Sequence, residues 1–207
     1  MRVKNAASPV LFRTYPVRTH RSANCFIWEA ARATLAALSF FKSIRIRGTD
    51  GVEEEFCDAG LKWNNPVKVV IEEGERVFGP KRRVACIVSI GTGQQPAIGI
   101  ENAHCLLRVS IIHLMERLAL DCEGKEEECE KQFGGTPGLY YRFNVQHGPQ
   151  KASLLLADWK TLGTVKTHTT TYMEKRLVGQ KIDQLIDKLR NRQGNVTTAQ
   201  LSTFQIP

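Results

Sequence analysis

The sequence predicts an α/β fold, with part of a mostly parallel sheet covered by helices and a helical extension after about residue 100. Three observations carry this expectation. Phe56 to Pro66 (Phe-Cys-Asp-Ala-Gly-Leu-Lys-Trp-Asn-Asn-Pro) reads as a strand end, a carboxylate on a turn and then a capped helix. Val84 to Ile90 is nearly continuously apolar, the pattern of a strand buried on both faces. Val178, Ile182, Leu185, Ile186 and Leu189 recur at helical spacing and predict an amphipathic helix.

The remaining elements follow in chain order. Val10 to Tyr15 is compatible with a strand, and Thr19 to Asn24 is a polar loop. Ile27 to Ala37 is rich in Ala and predicts a helix, with Asn24 as its cap. Ser43 to Arg47 alternates apolar and polar residues, as a half-buried strand does. Thr49 to Glu55 reads as a turn carrying an acidic run. Asn65 is a good N-cap and Pro66 a good first helical residue, with Val67, Val70 and Ile71 on one face behind them. That helix should stop near Gly79-Pro80. Residues 94–102 form a polar loop, Ala103 to Leu120 an apolar-rich helix, and Asp121 to Glu130 an acidic loop or helix end. Tyr140 to Val145 reads as a strand, Lys166 to Met173 as extended or capping, and 191–207 as a frayed polar tail.

Asp58 is the candidate functional residue. It follows a short apolar stretch, and the small Ala59 and Gly60 let the backbone turn tightly and leave the carboxylate approachable. The carboxyl end of a strand is where α/β folds keep their chemistry. An Asp in such a turn is otherwise a cap or a turn former. Asn64 and Asn65 read as residues that hold this turn. Trp28 and Trp63 read as packing residues beside it.

The chain has 207 residues, of which 42% are hydrophobic, enough for a real core. Residues 1–50 hold nine Lys/Arg against Glu29 and Asp50, so they carry +7 of the chain's net +8. A basic quarter of this kind is either a solvated surface, a face that meets an acidic partner, or a face for anionic lipid headgroups. No nucleic-acid motif accompanies it, and no nucleic-acid partner is expected. Six cysteines fit no metal spacing; Cys57 and Cys86 read as small buried hydrophobes, and Cys122 and Cys129 as exposed thiols. The five His show no ligand spacing, and no cofactor or metal is expected. Residues 1–20 lack the apolar region of a signal peptide, and no apolar run approaches the about 18 residues of a membrane span. The expected location is intracellular, in the cytoplasm or at a membrane periphery.

The Asp58 segment resembles the Asp-Gly-(Gly/Ala) motif and following Asn-Asn-Pro of patatin-like phospholipases. Two further blocks share the likeness in the same order. Ile27-Trp28-Glu29-Ala30-Ala31-Arg32-Ala33-Thr34, with Ala36-Ala37 and Phe40-Phe41, resembles the helix and loop upstream of that Asp. Ser89-Ile90-Gly91-Thr92-Gly93 resembles the Ser-(Leu/Ile)-Gly-Thr-Gly strand end downstream. The likeness to fungal members runs from about Val10 to about Met173. It implies the C-terminal part of a three-layer patatin-like fold over residues 1–100, then a mainly helical extension over 101–207. It also implies that Asp58 is the proton acceptor of a Ser–Asp dyad that hydrolyses lipid acyl esters. Ala59 stands where the family usually has Gly, and Leu35 and Leu38 where Ser and Pro are usual.

The family's nucleophile is a Ser in Gly-x-Ser-x-Gly, preceded by a Gly-rich oxyanion loop. These 207 residues contain no Gly-x-Ser-x-Gly. The resemblance therefore implies either a portion of an acyl hydrolase that is inactive alone, or a non-catalytic remnant that binds lipid or a partner protein.

Overall fold

The computed structural model describes residues 1–15, 24–37, 41–48, 50–91, 93, 123–145 and 162–203. They form a mixed α/β protein whose described strands make three two-stranded sheets. The chain divides into two compact units: described residues up to Asn64 form the first, and those from Asn65 onward the second. The second unit thus takes its residues from both sides of residue 100.

In the first unit, helix α1 (Ile27–Thr34) precedes strands β1 (Ile44–Arg47) and β2 (Glu53–Phe56), which pair antiparallel. Helix α1 starts where Glu29 reaches back to accept the Phe26 N–H at 2.8 Å, so Phe26 and not Asn24 occupies the cap. The acidic run expected to be a turn is strand β2. Its charges fail to break the strand because the register sets Arg45 opposite Glu55 and Arg47 opposite Glu53. Arg47 donates to Glu53 at 3.0 Å, Ser43 donates to the Glu55 carboxylate, and Arg2 forms an ion pair with Glu54. These pairs absorb part of the positive charge counted in residues 1–50.

Ile44, Ile46 and Phe56 lie on one face of this hairpin, since cross-strand partners share a face. Ile46 and Phe56 are buried with Ala33 of α1, and Val10, Phe12, Cys25 and Ile44 pack around them. The Phe12 and Phe56 rings meet edge to face at 5.3 Å. Val10 to Tyr15 therefore contributes to the core, but without ladder hydrogen bonds it is not a strand.

Helix α2 (Gly60–Trp63) ends the first unit; in the second, α3 (Val67–Phe78) opens a new core. Helix α3 stops as the breaker pair requires: Gly79 takes φ 80°, a conformation that favours glycine, and its N–H closes on the Glu75 carbonyl at 2.8 Å. Strand β3 (Arg83–Val84) and strand β4 (Ile87–Ile90) follow as two elements. The expected doubly buried strand is not formed: Val88 and Ile90 are exposed, and only Ser89 within β4 is buried. Helix α4 (Glu123–Phe133) occupies the stretch read as an acidic loop or helix end, and Cys129 on it is buried rather than exposed. Lys125 and Glu128 pair locally on its outer side, while Cys129 and Phe133 turn inward and Glu126 faces β5.

Strand β5 (Tyr140–Phe143) runs parallel to β4, with Ile87 opposite Tyr140 and Ser89 opposite Arg142. This is the described parallel pair; the other two sheets are antiparallel. Helix α5 (Leu162–Met173) takes the Thr-rich stretch expected to be extended. Within the helix a Thr hydroxyl finds its partner on the preceding turn, as Thr167 does at the Gly163 carbonyl at 3.0 Å. Helix α6 (Arg176–Asn191) follows the predicted stripe at Val178, Ile182 and Leu185, but Ile186 and Leu189 stay exposed.

The described part of the tail read as frayed, up to Thr203, forms a strand and a helix. Strand β6 (Val196–Thr197) pairs antiparallel with β3, and α7 (Thr198–Thr203) packs on α3. Val196 and Leu201 enter a core with Val67, Ile71, Cys129, Phe133 and Leu139. Two apolar residues in a polar stretch suffice because burying each contributes about 1.5–3 kcal/mol. Gly194 makes the approach possible: a Cβ there would sit 2.3 Å from the Val84 carbonyl oxygen. Residues 94–102 and the expected helix from Ala103 to Leu120 lie outside the described residues, as do Cys105 and Cys122.

Candidate functional site

Asp58 sits immediately beyond β2. Phe56 and Cys57 before it are buried, while Asp58 itself is half-buried. Two flanking backbones fix its position. Its own N–H donates to the Ala36 carbonyl at 2.9 Å, just past α1, and the Cys57 N–H donates to the Met1 carbonyl at 2.9 Å. Residues 1–3 thus run along the outer edge of β2, where Val3 also donates to the Glu55 carbonyl. The carboxylate is held out at the point where the strand ends, and its oxygens accept no hydrogen bond among the described residues.

The turn after Asp58 works as the small residues suggest. Gly60 leaves room for the carboxylate: a Cβ there would lie 2.7 Å from the Asp58 Oδ2. Ala59 has φ −98° and ψ 4°, a conformation open to any L-residue, so Ala in place of Gly carries no strain. The Ala59 carbonyl accepts the N–H groups of Lys62 and Trp63 and closes the single turn of α2. Lys62 then reaches back to the Ala7 carbonyl at 3.0 Å and lies over the Trp63 ring at 4.8 Å. Trp63 is half-buried and packs as expected, but Trp28 is 63% exposed and does not.

Asn64 ends α2 in helical conformation. Asn65 and Pro66 are shifted by one position from the expected roles. Pro66 is the cap residue of α3, and the Asn65 Oδ1 accepts the Val67 N–H at 3.4 Å from outside it. The physical reason is the extra turn of α2, which consumes the residues that would otherwise lead straight into the cap. Asp58, Ala59, Gly60 and Asn64 belong to the first unit; Asn65 and Pro66 begin the second.

The Cys57 thiol beside Asp58 is not an activated nucleophile. Burial pushes the Cys57 thiol up from its ordinary range; the N-terminal ammonium opposes this and the Asp58 and Glu55 charges add to it, so the neutral form persists. Among the described residues no group of three His, Cys, Asp or Glu could hold a metal ion. No helix among them is long and apolar enough to cross a membrane.

The second unit holds a polar cluster that the sequence reading missed. It lies at the carboxyl end of the parallel pair β4–β5. Arg142 is 7% exposed. It donates through Nη1 to the Ser89 hydroxyl at 2.8 Å and through Nε to Glu126 of α4 at 3.1 Å. Lys181 of α6 donates to the Arg142 carbonyl at 2.9 Å. Asn144 accepts the Gly93 N–H at 2.8 Å. Gly91 lies against this cluster: a Cβ there would sit 2.4 Å from the Asn144 Oδ1 and 2.6 Å from the Arg142 Nη2, so both side chains would have to shift to admit one. Ser89 is thus buried, and its hydroxyl accepts from a cation, with no general base beside it among these contacts. The available signal was Arg142 itself, a lone cation inside the aromatic run Tyr140-Tyr141-Arg142-Phe143. A guanidinium in such a strand requires a buried anion.

Comparison with known proteins adds no relative: no family model, curated protein or solved structure matches this chain.

Proposed function

We propose that this chain is the part of a patatin-like lipid acyl hydrolase that supplies the general base, with Asp58 as proton acceptor of a Ser–Asp dyad. The observation that supports the reading is the Asp58 carboxylate itself: half-buried, at a strand end, over a glycine and free of hydrogen bonds among the described residues. A Ser hydroxyl is a weak nucleophile until a neighbouring base takes its proton. In this reading a Ser supplied from outside these 207 residues attacks a fatty-acyl ester, Asp58 accepts its proton, and water then releases the acyl group. Ala59 and Gly60 form the turn that carries the carboxylate, and Asn64 follows at the end of α2.

The absence of Gly-x-Ser-x-Gly favours a second reading, a non-catalytic patatin-like module that binds lipid or a partner protein. The coding sequence upstream of Met1 separates the two. An in-frame Gly-x-Ser-x-Gly there supports the hydrolase; an in-frame stop with no such segment leaves the binding module.

On either reading the 207-residue chain alone should not react with a serine-directed fluorophosphonate, because removing nucleophile and oxyanion donors costs orders of magnitude in rate. Intact-mass analysis after labelling is the measurement. Stoichiometric adduct formation would show a nucleophile outside any Gly-x-Ser-x-Gly motif.

A further inference from the structure

We infer that the outward face of α1 is a docking surface for an anionic lipid bilayer. Helix α1 is apolar on two sides. Ala33 and the following Ala36 face the core, yet Ile27, Trp28 and Leu35 are 86%, 63% and 65% exposed. Phe26, just before the helix, is also exposed. A surface helix in water normally turns polar residues outward. This one turns outward the aliphatic and aromatic side chains of an interfacial helix.

The border of the face selects its partner. Arg32 donates through Nη2 to the Lys42 carbonyl at 2.6 Å and lies 5.8 Å from the centre of the exposed Phe41 ring. Phe41 and Lys42 are thereby fixed beside α1. Arg2 and Arg47 are ion-paired to Glu54 and Glu53, but Arg32 and Lys42 have no ion pair among the described residues. The one carboxylate on α1, Glu29, is occupied in capping the helix. The face is therefore apolar and edged by the exposed ammonium of Lys42, beside the half-buried Arg32, whose Nη1 is shielded from solvent. A second copy of the chain would bring those cations together, which disfavours self-docking. A bilayer with anionic headgroups satisfies both features, with Trp28 at the headgroup level where indoles concentrate.

This inference stands on α1 and not on Asp58, so it does not depend on the hydrolase reading. The test is flotation of the full chain with phosphatidylcholine vesicles, with and without phosphatidylserine. Binding should require phosphatidylserine and weaken with salt. The double substitution Ile27→Glu and Trp28→Glu should cut the bound fraction at least about tenfold, since two apolar anchors are lost. Both positions are exposed, so the circular dichroism spectrum should not change. Lys42→Glu should weaken binding without altering the spectrum. Failure of the parent to float, or equal flotation of the double variant, overturns the inference. So does a parent that self-associates and becomes monomeric on the same double substitution, because the face would then be a contact between copies.

Discussion

In a form of this protein joined to a Gly-x-Ser-x-Gly segment, Asp58→Asn is expected to lower kcat by about 10²–10⁴-fold, the usual contribution of a general base. The amide cannot accept the serine proton, whereas its shape matches the carboxylate. Folding should survive, because the interactions that hold the residue in place are made by its backbone: the N–H to the Ala36 carbonyl and the neighbouring Cys57 N–H to the Met1 carbonyl. The loss should appear in kcat with the thermal midpoint unchanged. Turnover within about threefold of the parent, well short of a general base's contribution, would show that Asp58 is a turn residue only.

Glu126→Ala should be the most damaging substitution for stability among the charged residues described. It strands the Arg142 guanidinium, whose side chain is 6% exposed, beside a Glu126 position that is itself only 18% exposed. Removing one partner of a buried pair costs about 3–5 kcal/mol, because the remaining charge stays desolvated. That is a large share of the roughly 5–15 kcal/mol that holds a domain folded. The bond from Arg142 to Ser89 remains, which places the expected loss toward the lower end of the range. Urea unfolding measures it. Combining Glu126→Ala with Arg142→Met should restore much of the stability, since an apolar side chain there needs no counter-charge. A single-variant cost below about 1 kcal/mol, the value of a surface pair, would mean that the pair is solvated in solution.

The parts of the fold legible in the sequence were those with local signals. Helix α3 was bounded by Pro66 and by Gly79, whose positive φ makes the stop nearly obligatory. Helix α6 was marked by its apolar spacing. The turn at Asp58 was read from small residues, and the carboxylate does lie over Gly60. What escaped depends on partners distant in sequence. Strand β2 reads as a charged turn until β1 supplies the arginines opposite it. The Val84–Ile90 run was too apolar to suggest exposure, but it splits at residues 85 and 86, and one half pairs with β6 and the other with β5. Cys129 looked exposed because its neighbours are acidic; helical spacing turns it alone, with Phe133, toward the core. Arg142 could not be assigned a role before Ser89 and Glu126 were known to surround it.

The pairing of β3 with β6 also governs when the second unit can fold. The Thr198 hydroxyl closes on the Gly79 carbonyl 119 positions away, and Val196 and Leu201 complete a core begun at Val67. Contacts of such long range require loop-closure entropy to be met before they return any stabilisation, so folding of this unit should be slow. During synthesis the apolar residues from Val67 to Leu139 leave the ribosome well before their last partners do. Until residue 201 emerges they form an exposed, association-prone intermediate of the kind that chaperones hold. Chains arrested on the ribosome before residue 196 should therefore be cleaved by protease within the α3–β5 region, while chains extended past residue 203 on a tether should resist it. Equal protection of the two would mean that the last pairing only decorates a unit already closed.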